Sequence, residues 1–464
     1  MTALEQLGAY LASGKSLPPS VLAVARHRVI DTVAAWIAGI GTVEGRRLIA
    51  LRHEMLAGAP VSERAYFALM THCALARLSE IDDIHLASMT TAGGIMVPAS
   101  LTLAAALGVS DPPVIARAIA GGYDTMIRLG LAVHGPTILY RGIWPTYFGA
   151  PFGVAAVAAR LMDLDERQAA HALALALTLS APGVGHHNAP TTTRWLAIGM
   201  VARNGLMAAH AARNGFTSDL GLLDGNFLPS VYDIKPDTAE LTRGLDQHFL
   251  LTDVSFKPWC AARQTMPATY ALKEILAHGV APADIVEIEA GVLPPHHRMI
   301  DHGVTAGDRA SHLTSLPYQM AVAVLMPDAA FDVAQSPDSI PGPIAALMAK
   351  VKVTPNERLL ARYPRVWPAH VRVATASGTV HEKEVEHVPG DVRLPFDDLQ
   401  VRDKFRRFAV PVAGAEAAAR LAALAATSLD QERAALALID LIERACASVH
   451  TPNHSSPPGR SAFV

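Results

Sequence analysis

Thiols are scarce in this chain. Three cysteines occur in 464 residues, Cys73, Cys260 and Cys446, and they lie far apart. That spacing excludes a Cys-x-x-Cys zinc site, argues against an iron–sulfur cluster, and suits a reducing, cytoplasmic compartment. Charge is sparse too: 17% of residues are charged, the formal net charge is −3 and the pI is near 6.7, which leaves no basic footprint for nucleic acid. Long apolar runs are missing. The segments Val97 to Leu107 and Ala169 to Leu179 are broken by Pro, His, Ser or Thr before they reach the ~20 residues of a membrane span. The opening MTALEQLGAYLASGKS has no basic run followed by an apolar block, so no secretion signal is expected.

What is abundant is apolar surface, with 51% hydrophobic residues and a mean hydropathy of +0.25. A chain of this kind must hide that surface in a large core or by self-association. Its length suggests two or three domains.

Helical periodicity dominates the first half. Pro18 and Pro19 open a run from Val21 to Ile40, and further helices are expected over Ser62 to Arg77, Pro98 to Leu107, Pro113 to Leu131, Asp163 to Ser180 and Trp195 to Asn214, with Gly215 as the C′ stop. The stretches His134 to Gly153 and Ala181 to Trp195 are rich in Gly, Pro and aromatic or polar groups and read as ordered loops. After about Ser230 the pattern changes. Strand signals appear at Val280 to Val292, with Val286, Ile288 and Ala290 on one face, then at His370 to Ala376 and Thr379 to Val388. Helices return over Asp397 to Phe408 and Ala415 to Ala447, and the Ser-, Pro- and Gly-containing tail from Ser448 is expected to be disordered. The fold class is therefore mainly α, with a smaller α+β part.

Unpaired polarity concentrates in SEIDDIHLASMTTAGGIMVPAS, Ser79 to Ser100. Glu80, Asp82, Asp83 and His85 run into a glycine turn, and such a cluster in an apolar chain needs solvent or a ligand. It reads as the lining of a pocket or as a solvated helix end. Adjacent His186 and His187 point to opposite sides of an extended chain and have no evident third ligand, so a pocket-lining acid–base role is expected rather than a metal site.

Five ordered segments resemble one family. EIDDIHLASMTTAGGIMVPAS is similar to the Asp-aromatic-Asp-Asp-Thr-His element and His-Pro-Gly turn of the MmgE/PrpD family. RGIWPTYFGAPFG resembles its Gly-Phe-His-Pro-Thr loop, TTTRWLAIGM its Lys-x-Leu-His-x-Gly segment, and KPWCAARQTMPA its Lys-Pro-Tyr-Pro-Cys-Cys-Arg-Phe-Thr-His-Pro element. SLPY, Ser315 to Tyr318, matches as it stands. The resemblance implies a homodimer of a large all-helical domain and a smaller α+β lid, with the active site between them. On that reading, residues 1–250 begin the helical domain, 251–392 form the lid, 393–447 return to the helical domain, and 448–464 are the tail.

The resemblance further implies cofactor-independent chemistry beside a carboxylate, without metal, nucleic acid or membrane. A lyase eliminating water or carbon dioxide is expected. An isomerase, epimerase or cyclase using the same enol-type chemistry is the competing expectation, and a catalytically silent dimer retained for binding is a third. Lys257, Tyr318, Asp82 and His85 are the expected catalytic residues. Asp83, Thr91, Trp144, His186, His187, Arg194, Arg263 and Met266 are expected to line the substrate site. Departures are evident: Thr91, Trp144 and Met266 stand where the family carries histidines, and Arg194 where it carries a lysine. Apolar groups in place of imidazoles imply a substrate less charged than citrate.

Overall fold

The computed structural model describes residues 1–183 and 191–449. The expected disordered tail and the pair His186 and His187 therefore fall almost wholly or wholly outside the described residues.

Helices make up the first part. Local chemistry sets their ends: Thr2 and Asp165 form capping boxes with Glu5 and Gln168, Pro19 opens the helix Pro19–Ile40, and Gly215 follows Thr193–Arg213 at φ 87°. The reading of His134 to Gly153 as a loop is corrected. Gly135–Leu139 is a short helix, and Pro145–Leu161 is a long one that starts on a proline and contains Pro151. Packing overrides the local signal. The helix lies against Pro112–Ala132, and Gly153 lets it approach closely, because a Cβ there would come within 2.7 Å of Met96 Sδ and 3.0 Å of Met126 Cβ.

The α+β part carries one sheet of four strands, β1 (Ile285–Val292), β2 (Val351–Pro355), β3 (Ala369–Thr375) and β4 (Val380–Val385), in the order β2-β1-β3-β4. β1 runs parallel to β2 and antiparallel to β3, and β3 is antiparallel to β4. β2 lies outside the expected strands, because its Val-Lys-Val-Thr alternation covers only four residues before Pro355. The expected face of β1 also needs correction: a register shift between Ile285 and Glu287 leaves Val286 55% exposed, while Ile285, Ile288 and Ala290 are buried. The run expected as one helix from Ala415 to Ala447 is two, Ala415–Thr427 and Ala434–Ser448, with Arg433 between them in a left-handed conformation.

Three apolar clusters hold these parts. The largest spans the helical part and includes Phe405, Phe408, Leu438 and Ile442 from the C-terminal helices. A second lies between Trp259 and Val388, around the sheet. The third joins the two: Ile84, Leu86 and Met89 from the helical part pack with Leu293, Leu359 and Trp367 from the α+β part. Each such side chain contributes roughly 1.5–3 kcal/mol when fully buried. The apolar seam lies directly beside the acidic cluster and fixes the α+β part over it. Among the described residues, no helix is long and apolar enough to cross a membrane.

Candidate active site

The helix Val61–Leu78 delivers the chain to Ser79, whose Oγ donates to the Ala76 carbonyl at 2.7 Å. Glu80 then takes a left-handed φ of 58°, uncommon for a glutamate, which turns the chain inward. Residues 79 to 86 are all buried. Ile84 and Ser255 exchange backbone hydrogen bonds of 2.9 and 2.8 Å, and this bridge lays the segment carrying Lys257 alongside the acidic cluster.

Five charges meet there. Lys257 Nζ donates to Glu80 Oε2 at 3.0 Å and to Asp82 Oδ1 at 3.4 Å. Arg77 Nη1 lies 3.1 Å from Glu80 Oε1 and 3.2 Å from Asp82 Oδ1, and Arg194 Nη2 donates to Glu80 Oε1 at 2.7 Å. Three cations thus face two carboxylates. Burial pushes the Glu80 carboxyl up, but the Arg77, Lys257 and Arg194 charges outweigh it and hold the group below its ordinary range. Asp82 goes the other way. Burial, with the nearby Glu80 and Asp83 charges, raises it to about 6 against the pull of Arg77 and Lys257.

Asp83 plays a different part. Its Oδ1 accepts the Gly93 N–H at 2.7 Å and its Oδ2 accepts the Tyr123 hydroxyl at 2.7 Å, with Arg28 Nε at 3.9 Å. A side chain at position 93 would collide with both carboxylate oxygens at 2.6 Å, so the glycine turn and the aspartate form one structural unit. From below, Lys404 donates to the Ile81 carbonyl at 2.7 Å and pairs with Asp31, tying the C-terminal helices to the cluster.

Above the five charges is a cavity between the helical and α+β parts, about 730 Å³ counting its solvent-open mouth. Arg77, Glu80, Arg194, Lys257 and Arg263 supply its charge. Ile84, Met89, Leu139, Trp144, Met299 and Leu313 supply most of its apolar wall. Thr91 sits on one side, its N–H donating to Thr146 Oγ1 at 3.1 Å. The Arg194 guanidinium lies over the Trp195 ring at 4.3 Å and near Trp144 at 5.3 Å. Arg263 is 1% exposed and gives two 2.8 Å hydrogen bonds from Nη2 to Asp391, while its Nε and Nη1 have no partner.

Family models for the MmgE/PrpD N-terminal domain and the MmgE/PrpD C-terminal domain match residues 5–234 and 259–430. The chain belongs to the MmgE/PrpD family. Members of this family are generally enzymes of dehydratase or lyase type. No curated protein matches the chain.

In this MmgE/PrpD chain the cavity brings together Lys257, Thr91, Trp144, Arg194 and Arg263 from the expected set, with Asp82 immediately behind Lys257. Other expected residues lie elsewhere. His85 lines a second cavity, described below. Burial pushes its imidazole down to about 4, and its Nδ1 accepts the Ser88 N–H at 3.2 Å. Tyr318 packs in the core of the α+β part, stacked on His312 with ring centroids 5.1 Å apart, and Met266 is fully buried at the start of its helix; neither lines the cavity. Asp83 is enclosed by Gly93 and Tyr123.

Several lining residues escaped sequence reasoning, Arg77, Gln264 and Tyr140 among them. Arg77 precedes the acidic cluster by one helical turn, a spacing that could have been read as an i,i+3 pair with Glu80. Gln264 follows Arg263, and Tyr140, whose hydroxyl has no partner, precedes the Trp144 loop. Neither carried a charge or spacing signal. Among the described residues no imidazole lines this cavity.

Proposed function

We propose that this MmgE/PrpD protein is a lyase that removes carbon dioxide or water from a small carboxylate with an apolar body, using side chains alone. One observation carries the reading: Arg77, Arg194 and Lys257 outnumber Glu80 and Asp82 at the polar end of a cavity that is otherwise apolar, and Arg263 adds two nitrogens, Nε and Nη1, with unpartnered N–H groups. A substrate carboxylate balances that excess and satisfies donors that are costly to leave unpaired.

Loss of carbon dioxide is the elimination these residues serve most simply. The bond from the α-carbon to the departing carboxyl breaks, and its electron pair moves into an adjacent carbonyl as an enolate. The Lys257 ammonium stabilises that charge and then gives a proton to the carbon; solvent restores the proton to the lysine. Water elimination asks for more, a base for the α-proton and an acid for the leaving hydroxyl. Glu80 is the carboxylate on the cavity wall, and its three cations keep it a weak base until a substrate carboxylate draws Arg194 away from it.

An isomerase, epimerase or cyclase is the second reading, favoured by the apolar wall of Leu139, Trp144, Met299 and Leu313, in which an enolate is protected from water. Incubation with a panel of small carboxylic acids separates the readings by mass. Loss of the mass of carbon dioxide or water supports the lyase, a new product of unchanged mass supports the isomerase, and binding without turnover leaves a silent binding protein.

A homodimer goes with this reading. Leu196, Met200 and Met207 are exposed on one face of Thr193–Arg213, the helix that carries Arg194, and a second copy would cover that apolar stripe. The three cysteines, buried and unbridged, fit a cytoplasmic setting.

A further inference from the structure

A second cavity opens on another side of the junction between the helical and α+β parts, with about 1800 Å³ of empty space counting its solvent-open mouth. Its floor holds Arg128, which is 1% exposed and has no carboxylate within ion-pair distance. That guanidinium donates only to backbone carbonyls, those of Glu240, Arg243 and His248, and its Nε has no partner. Asp124, one helical turn earlier and also buried, feels the Arg128 charge without reaching ion-pair distance, so part of the guanidinium's field still reaches the space beside it.

Basic side chains outnumber acidic ones on the rest of the wall. Arg365 and Arg393, from the α+β part, are exposed at the rim and form no ion pair. Two acids of the wall are held by guanidinium groups, Glu240 by Arg243 at 3.1 Å and Asp391 by Arg263 at 2.8 Å, while Asp253 hydrogen-bonds His248 at 2.7 Å and its charge is felt at His85. His85 adds a directed donor. Its Nδ1 accepts the Ser88 N–H, so in the neutral ring the proton sits on Nε2, the nitrogen without a protein partner.

We infer that this cavity binds a small polyvalent oxyanion, a phosphate- or carboxylate-bearing metabolite, held between Arg128 and His85 at the floor and Arg365 and Arg393 at the rim. The donors come from both parts of the chain, so the ligand bridges them. Asp391 forms a wall of this cavity and holds Arg263 of the first, so occupancy here bears on the guanidinium placed for the substrate.

Titration calorimetry with inorganic tripolyphosphate and, separately, citrate tests this at constant ionic strength. Saturable binding of one anion per chain is expected, and the tighter of the two identifies phosphate or carboxylate chemistry. The double variants Arg365→Glu/Arg393→Glu and Arg365→Gln/Arg393→Gln should weaken it roughly tenfold or more per arginine, as loss of charge-assisted hydrogen bonds does. Arg46→Glu/Arg47→Glu, an equal change of net charge at a remote exposed site, should leave it unchanged. Equal weakening in the remote variant, or no saturable binding of either anion, would overturn the assignment.

Discussion

Arg194 Nη2 lies 2.7 Å from Glu80 Oε1, joining the first turn of a helix to a glutamate in a left-handed turn. The same carboxylate holds Arg77 and Lys257 through its two oxygens. Glu80 is therefore the hub of the site, and the ranking of its variants follows. Glu80→Gln leaves the buried Arg77 and Lys257 and the half-buried Arg194 facing Asp82 alone and should destabilise the fold by about 3–5 kcal/mol, the cost of breaking a buried ion network. Arg194→Met should cost clearly less, because Glu80 keeps two cations. Urea denaturation midpoints of the two variants check the order.

The pH dependence of stability has a traceable contributor in His85. Its folded-state pKa is depressed to about 4 by burial. A histidine in the unfolded chain titrates near 6.5, so the unfolded state binds more protons between these values. Stability is present in full above pH ~6.5 and is lost as pH falls toward ~4, by roughly 3 kcal/mol for this group. His85→Asn keeps an acceptor for the Ser88 N–H and should flatten that loss. Guanidinium titrations at several pH values across this window show whether the slope falls.

Arg263 and Asp391 make a pair that is worth more intact than either half. Asp391→Asn retains an acceptor for the Val388 N–H but leaves the Arg263 charge buried, at a cost of about 3–5 kcal/mol. Adding Arg263→Met to that variant should recover much of the stability while abolishing turnover. A double-mutant cycle in chemical denaturation, run beside an activity assay, measures both outcomes.

The exposed stripe on Thr193–Arg213 makes association testable without a substrate. Met200→Glu/Met207→Glu places two charges among Leu196, Met200 and Met207 and should shift the protein toward monomer with little change in monomer fold. Analytical ultracentrifugation reads the change in mass, and an unchanged sedimentation profile would assign the dimer contact to another face.

Sequence made the helical frame and the α+β part legible through apolar periodicity, and the acidic run Glu80 to Asp83 marked the buried charge cluster beside the candidate cavity. The helix through Pro145 and Pro151 was not legible, since close packing onto Met96 and Met126 decides it and no local pattern records that packing. Division of labour within the cluster was equally hidden. Asp82 and Asp83 are neighbours in sequence, yet one pairs with Lys257 and Arg77 while the other is closed in by Gly93 and Tyr123. His85 looked like a member of the same pocket but lines another cavity, where its Nδ1 accepts the Ser88 N–H.

Tyr318 and Lys257 respond oppositely on this account. Tyr318 stacks in the core of the α+β part away from the cavity, so Tyr318→Phe should cost far less than the ~10²–10⁴ in rate that a positioned proton donor supplies. Turnover of that variant on any accepted acid is the check.

The most direct test is turnover of Lys257→Arg. The substituted guanidinium keeps the charge beside Glu80 and Asp82 but cannot release its proton. Turnover is expected to fall ~10²–10⁴-fold while the fold and carboxylate binding persist. Turnover at the wild-type rate in Lys257→Arg would contradict the role given to Lys257 and, with it, the reaction proposed for this cavity.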